Sequence, residues 1–169
     1  GKAGEPRTVQ EAQFFASRLR SLRTRGSAAY KGLYALLLKA GPVDWGTGSD
    51  MSDENYFDNA VDIHHVFPEA WCEKQGIGPT EYNSIVNKTP LTARTNRLIG
   101  GRAPSVYLRG LAKTADTTPE QVDRNVQSHL ISAPDLRNDD FEAAMSARQR
   151  ALLALVGQAM GKDAQIDTE

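Results

Sequence analysis

The sequence predicts an α+β domain, mostly helical, in which one small strand-strand-helix insert is braced by flanking helices. Apolar residues recur at helical spacing through most of the chain, between recognisable caps and Gly or Pro stops. β-branched and aromatic residues gather in only two short stretches. At 169 residues, with 40% hydrophobic and 24% charged residues, the chain has the composition of a single folded domain able to bury its own core. We take residues 1–169 as that domain, with a helical N-terminal part over 8–40, the insert at about 60–100 and C-terminal helices over 104–161.

Thr8-Val9-Gln10-Glu11 reads as a capping box opening a helix whose apolar side carries Ala12, Phe15, Leu19 and Leu22, and Gly26-Ser27 ends it. A second helix is expected from about Ala28 to Lys39, stopped by Gly41-Pro42. Residues 44–59 are rich in Gly, Ser, Asp and Asn, the composition of a surface loop leading into a site. Val61 to Phe67 reads as a strand closed by Pro68, and Glu69 to Gln75 as one or two helical turns. A second strand is expected over Asn87 to Thr92, then a short helix from Ala93 to Ile99 that Gly100-Gly101 terminates. Pro104 starts another helix, Thr118-Pro119-Glu120 the next, running to about Leu130, and Asn138 or Asp139 caps a last one carrying Phe141, Met145, Leu152, Leu155, Val156 and Met160.

No apolar run approaches the roughly 20 residues that cross a bilayer, and no signal peptide is recognisable, so we expect a cytoplasmic protein with no membrane partner. The single Cys72 excludes an internal disulfide and any zinc site built on Cys pairs. The chain opens Gly1-Lys2-Ala3-Gly4 without an initiator Met and is read as a piece of a longer protein. The net charge of -1 conceals an uneven distribution: residues 91–113 carry five Lys or Arg and no acid. That stretch suits either a solvated helix face or contact with phosphates.

Two of the three histidines, His64 and His65, are adjacent at the end of the first strand. Strand alternation alone would bury one and expose the other, and both reach one site only if the ladder frays or bulges before Pro68. The wider pattern tips the balance. Asp62-Ile63-His64-His65-Val66-Phe67-Pro68 is followed by Asn87-Lys88-Thr89-Pro90-Leu91-Thr92-Ala93-Arg94-Thr95-Asn96, and the nine-residue step from Asn87 to Asn96 has the spacing of the HNH motifs. The chain resembles the HNH nucleases, whose ββα-metal fold holds one divalent ion between a two-stranded hairpin and a helix. Tyr82-Asn83-Ser84-Ile85, Gly101-Arg102-Ala103-Pro104-Ser105-Val106-Tyr107-Leu108 and Gly157-Gln158-Ala159-Met160-Gly161-Lys162 are similar, by softer motifs, to the C-terminal nuclease domains of GmrSD-type antiphage restriction proteins.

The resemblance implies a metal-dependent DNA endonuclease. It makes His64 and Asn96 metal ligands, His65 the general base that deprotonates water, and Asn87 the structural asparagine that bridges the loop between the strands. It also implies DNA as partner and, in the whole protein, a preceding sensing or NTPase domain. A neutral imidazole near its ordinary pKa accepts a proton at neutral pH. Without a carboxylate among the assigned ligands, the expected cofactor is one divalent ion, Mn²⁺ or Mg²⁺, with Ni²⁺ and Co²⁺ also suited to an imidazole and an amide oxygen. No structural zinc is expected. Asp62 is assigned to orienting a histidine rather than to the metal. Arg94, Arg97 and Arg102 are assigned to DNA phosphates.

Cys72, between Trp71 and Glu73, reads as a packing residue, and His129 as a structural one placed where a cation suits a helix end. Trp45 and Tyr107 suit either base stacking or core packing. A non-catalytic nucleic-acid-binding or regulatory module with a degenerate metal site is the competing interpretation, and a purely structural interaction domain the next.

Overall fold

The computed structural model describes residues 18–51 and 61–166. The Thr8 to Glu11 capping box lies outside them. Residues 18–21 are helical, and Ser27 then caps α1 (Ala28–Lys39) by accepting the Tyr30 amide at 3.2 Å. α1 buries Tyr30, Leu33, Tyr34, Leu37 and Leu38 on one side. Gly41, at φ 77°, turns the chain out of the helix, a conformation glycine adopts without steric cost.

The following loop corrects an expectation. Rather than running over the surface, its described part dives inward: Asp44 and Trp45 are wholly buried, and Val43 bridges to Asp50. Trp45 stacks on Tyr107 with ring centroids 6.1 Å apart, so both aromatics are core residues and neither is free to meet a base.

The mostly helical α+β architecture holds one sheet among the described residues, the antiparallel pair β1 (Val61–His65) and β2 (Lys88–Thr92). Its register runs from Val61 opposite Thr92 to His65 opposite Lys88 without a bulge. Between the strands lie α2 (Glu69–Lys74), α3 (Pro79–Tyr82) and a 3-10 turn over Ile85–Asn87. α4 (Ala93–Ile99) follows β2 directly; Thr92 caps it by accepting the Thr95 amide at 3.2 Å, and Gly100 ends it at φ 55°.

α5 (Pro104–Thr114) packs on α4 and in turn carries α6 (Pro119–Gln127) and α7 (Ala133–Arg137). α6 ends before the expected Leu130, which sits at φ 61° in the turn that follows. α7 is an addition to the expected elements: five residues, started by Pro134 and capped by Ser132, are too few to show a periodicity. Asp140 caps the long α8 (Phe141–Ile166), accepting the Ala143 amide at 3.0 Å. Asp139, one of the two expected caps, instead accepts from the amide (2.8 Å) and hydroxyl (2.7 Å) of Ser105 and so caps α5. Among the described residues no helix is long and apolar enough to cross a membrane.

Three side chains from the C-terminal helices and their connections clamp the hairpin. Tyr107 of α5 donates to the Val66 carbonyl at 2.8 Å. Arg148 of α8, fully buried, donates to the carbonyls of Val86 (2.7 Å) and Lys88 (2.5 Å) and to the Thr89 hydroxyl oxygen (3.3 Å). His129, also fully buried, links Thr89 Oγ1 (2.6 Å) to the Val43 carbonyl (2.7 Å). Burial pushes His129 down to about 3. It is therefore a neutral bridge, not the helix-end cation its sequence position suggests.

Candidate active-site cleft

His64, His65 and Asn96 border one open cleft of about 410 Å³, together with Arg25, Ile63, Pro68, Glu69, Ala70, Ile99, Gly100 and Gly101. The floor is the end of β1, one wall is the start of α2, and the other is α4. Both histidines reach it although the ladder is intact through His65. The cleft wraps the strand end, where Pro68 turns the chain away, so alternation there does not put the two rings in different compartments.

Asn87 holds this turn together. It is wholly buried at the end of the 3-10 turn, and its side chain spans the connection between the strands. Its Oδ1 accepts from the Phe67 amide at 2.8 Å, while Nδ2 donates to the carbonyls of Phe67 (3.0 Å) and Tyr82 (2.9 Å). An asparagine suits the place because the site offers one amide to accept from and two carbonyls to donate to. Cys72 lies beneath, its Sγ 3.6 Å from the Phe67 carbonyl, and burial pushes the thiol up to about 12. At that value it is packing and no nucleophile.

His65 Nε2 lies 2.9 Å from Asn83 Oδ1, and its ring meets the Tyr82 ring edge-on at 5.8 Å. Burial holds its pKa below the ordinary imidazole value, opposed by the Asn83 hydrogen bond and helped by the positive charge of Lys88. His65 is therefore neutral at pH 7. Lys88, its partner across the ladder, is buried, and desolvation lowers its own pKa.

Asn96 faces the cleft because α4 is anchored at its N-terminus by Asp44, a residue that sequence reading passed over as loop. Asp44 Oδ1 accepts from the Thr95 hydroxyl (2.6 Å) and the Thr47 amide (2.9 Å), and Oδ2 accepts from the Thr92 amide (3.1 Å). Burial works against its charge, but these hydrogen bonds prevail and leave the carboxyl below its usual range. Gly46 lies so close to Thr95 that a Cβ there would stand 3.1 Å from its hydroxyl.

The assigned phosphate contacts are dispersed. Arg94 is exposed but borders a separate hollow of about 220 Å³ beside Gly46, Thr95 and Asp116. Arg97 is exposed and borders neither. Arg102 folds back over the end of α4, donating to the carbonyls of Leu98 and Ile99. The basic residue on the cleft wall is Arg25, from the turn before α1, whose guanidinium donates to the Ile63 carbonyl at 2.9 Å. Its distance from the motif in sequence hid it. Glu69 is a second addition: it brings a carboxylate to the rim and accepts from the Tyr82 hydroxyl at 3.1 Å. Asp62 lies in β1 opposite Leu91, and its side chain is outside the described part.

An imidazole, an amide oxygen and a nearby carboxylate are donors that a divalent ion accepts, so the residues present fit such an ion. Among the described residues no group of three or more His, Cys, Asp or Glu gathers, and a metal here would complete its shell largely with water and substrate oxygens.

No protein-family profile and no solved structure matches the chain. A protein of Methanocaldococcus jannaschii described as uncharacterized is 28% identical over 140 residues, which cover 77% of this chain and 23% of that protein. The chain thus spans less than a quarter of the relative it matches.

Proposed function

We propose that this chain is a metal-dependent DNA endonuclease domain of the HNH kind, hydrolysing phosphodiester bonds, with a role in restriction of foreign DNA. The observation that carries the reading is the meeting of His64, His65 and Asn96 in one cleft, since the two motifs that supply them are separated by 18 residues of intervening chain. His64 and Asn96 would hold the ion, which when bound supplies Lewis-acid stabilisation of the charge on the phosphate. His65, kept neutral by partial burial, takes the proton from the attacking water. Asn87 fixes the turn from which His65 projects, and Arg25 supplies positive charge at the cleft wall for the DNA backbone.

Plasmid nicking by the protein with Mn²⁺, Mg²⁺ or chelator tests this, with His65→Ala as control. Metal-dependent nicking that falls about a hundredfold or more in His65→Ala is expected, with the fold and metal binding retained. Nicking at the wild-type rate in that variant refutes the assignment. DNA binding without any metal-dependent nicking would favour the non-catalytic module instead.

A further inference from the structure

Residues 82 and 83 are held more firmly than the last turn of a four-residue helix requires. The Tyr82 carbonyl accepts from Asn87 Nδ2 at 2.9 Å, and its hydroxyl donates to Glu69 at 3.1 Å. The Asn83 amide donates to the Pro79 carbonyl at 3.1 Å. Both residues turn their side chains on the His65 ring, Tyr82 by an edge-on contact at 5.8 Å and Asn83 by its Oδ1, 2.9 Å from Nε2. An amide oxygen only accepts hydrogen bonds, so at that distance Nε2 carries the ring's hydrogen and the lone pair lies on Nδ1.

We infer that Asn83 is a positioning residue for His65: its side-chain oxygen fixes the imidazole as the Nε2–H tautomer and presents Nδ1 as the basic nitrogen. This rests on the reading of His65 as the base. The motif comparison does not assign Asn83 this part. Asn87 contributes at one remove, because the carbonyl it holds belongs to the residue before Asn83. A ring free of this bond samples both tautomers and turns about its side-chain torsions, so fewer molecules present a lone pair to water at any moment.

The test is nitrogen-15 NMR of the His65 ring in metal-free protein at pH 8, where the ring is neutral, which reads the bond whether or not the protein cleaves DNA. Expected are an Nδ1 shift typical of an unprotonated nitrogen and an Nε2–H signal protected from exchange with water. Asn83→Leu should abolish that protection, and Asn83→Asp, which keeps an acceptor oxygen in place, should restore it. In cleavage assays Asn83→Leu should lower the rate at saturating DNA about tenfold and leave DNA affinity unchanged, the loss of one hydrogen bond made to the catalytic ring. A wild-type ring found as the Nδ1–H tautomer overturns the inference, as does an Nε2–H signal equally protected in Asn83→Leu. Wild-type NMR is decisive by itself should a variant fail to fold. Absence of cleavage alongside the expected NMR would count against the nuclease reading and leave the geometry standing.

Discussion

Removing the Asn87 side chain should damage the fold more than removing any ligand of the cleft. Its three hydrogen bonds, at 2.8, 3.0 and 2.9 Å, are all buried, and each joins it to a backbone group of a buried residue. A buried hydrogen bond is worth about 1 kcal/mol net, and a backbone group left unpaired costs roughly 1–3 kcal/mol. For Asn87→Ala, with partial relaxation of the Phe67 and Tyr82 groups, we expect a loss of about 4 kcal/mol, a large share of the 5–15 kcal/mol that holds a typical domain folded. With a urea slope of about 2 kcal/mol/M, the unfolding midpoint falls by about 2 M. Asn87→Asp should be no better, because it keeps the acceptor for the Phe67 amide but turns a second oxygen towards two carbonyls. Urea unfolding followed by circular dichroism measures both. A midpoint shift below about 0.5 M in Asn87→Ala would show that the turn does not depend on this side chain, and the account of how His65 is held would fail with it.

Three further outcomes follow from the same contacts. His129 stands at about 3 in the fold against 6.5 when unfolded, so below pH 6.5 the unfolded chain binds a proton that the folded chain does not. Stability should therefore fall as pH drops, by about 1.4 kcal/mol per unit, with His65 adding in the same direction; urea midpoints from pH 7 to 5 check this, and a slope unchanged in His129→Gln refutes it. Arg148→Met should cost about 2–4 kcal/mol because the Val86 and Lys88 carbonyls lose their donors, partly offset by removing a desolvated cation; unfolding at the wild-type midpoint would show those carbonyls find other partners. Arg25→Ala should lower the magnitude of the slope of log DNA affinity against log salt by about 1, and by more than Arg102→Ala does, since Arg25 lines the cleft beside the histidines and Arg102 does not; the reverse order would return phosphate contact to the acid-free stretch.

The elements that were legible in the sequence are those with local signatures. α4 was bounded correctly because Thr92 and Gly100 cap it within nine residues, and α1 because Gly41-Pro42 stops it. The cleft's histidines and Asn96 were legible as motif residues. What stayed hidden depends on partners far along the chain. Arg148 reads as one more cation on the polar face of α8, and nothing near it says that it reaches back 60 residues to Lys88. Asp44 lies in a Gly- and Ser-rich run whose composition signals a surface loop, yet its acceptors are claimed by Thr92 and Thr95, 48 and 51 residues on. α7, at five residues, is too short for a helical period to repeat in it.

These long-range contacts also explain how the hairpin beneath the cleft is held. A hairpin of two five-residue strands is marginal by itself, and its ladder is continued into the turn at Val66 and Phe67 by the Val66 amide, which donates to the Asn87 carbonyl at 2.8 Å. Tyr107, Arg148 and His129 each engage that hairpin from outside it, and Asn87 closes it from within. The charges placed by this bracing act on the site as well. Lys88 lies across the ladder from His65, and Arg25 stands on the cleft wall; both oppose protonation of the ring. The same two cations would attract a phosphate towards the cleft. A carboxylate in place of Lys88 would instead raise the His65 pKa and repel the DNA backbone. A cation across the ladder and another on the cleft wall thus suit both a neutral base and a negatively charged substrate.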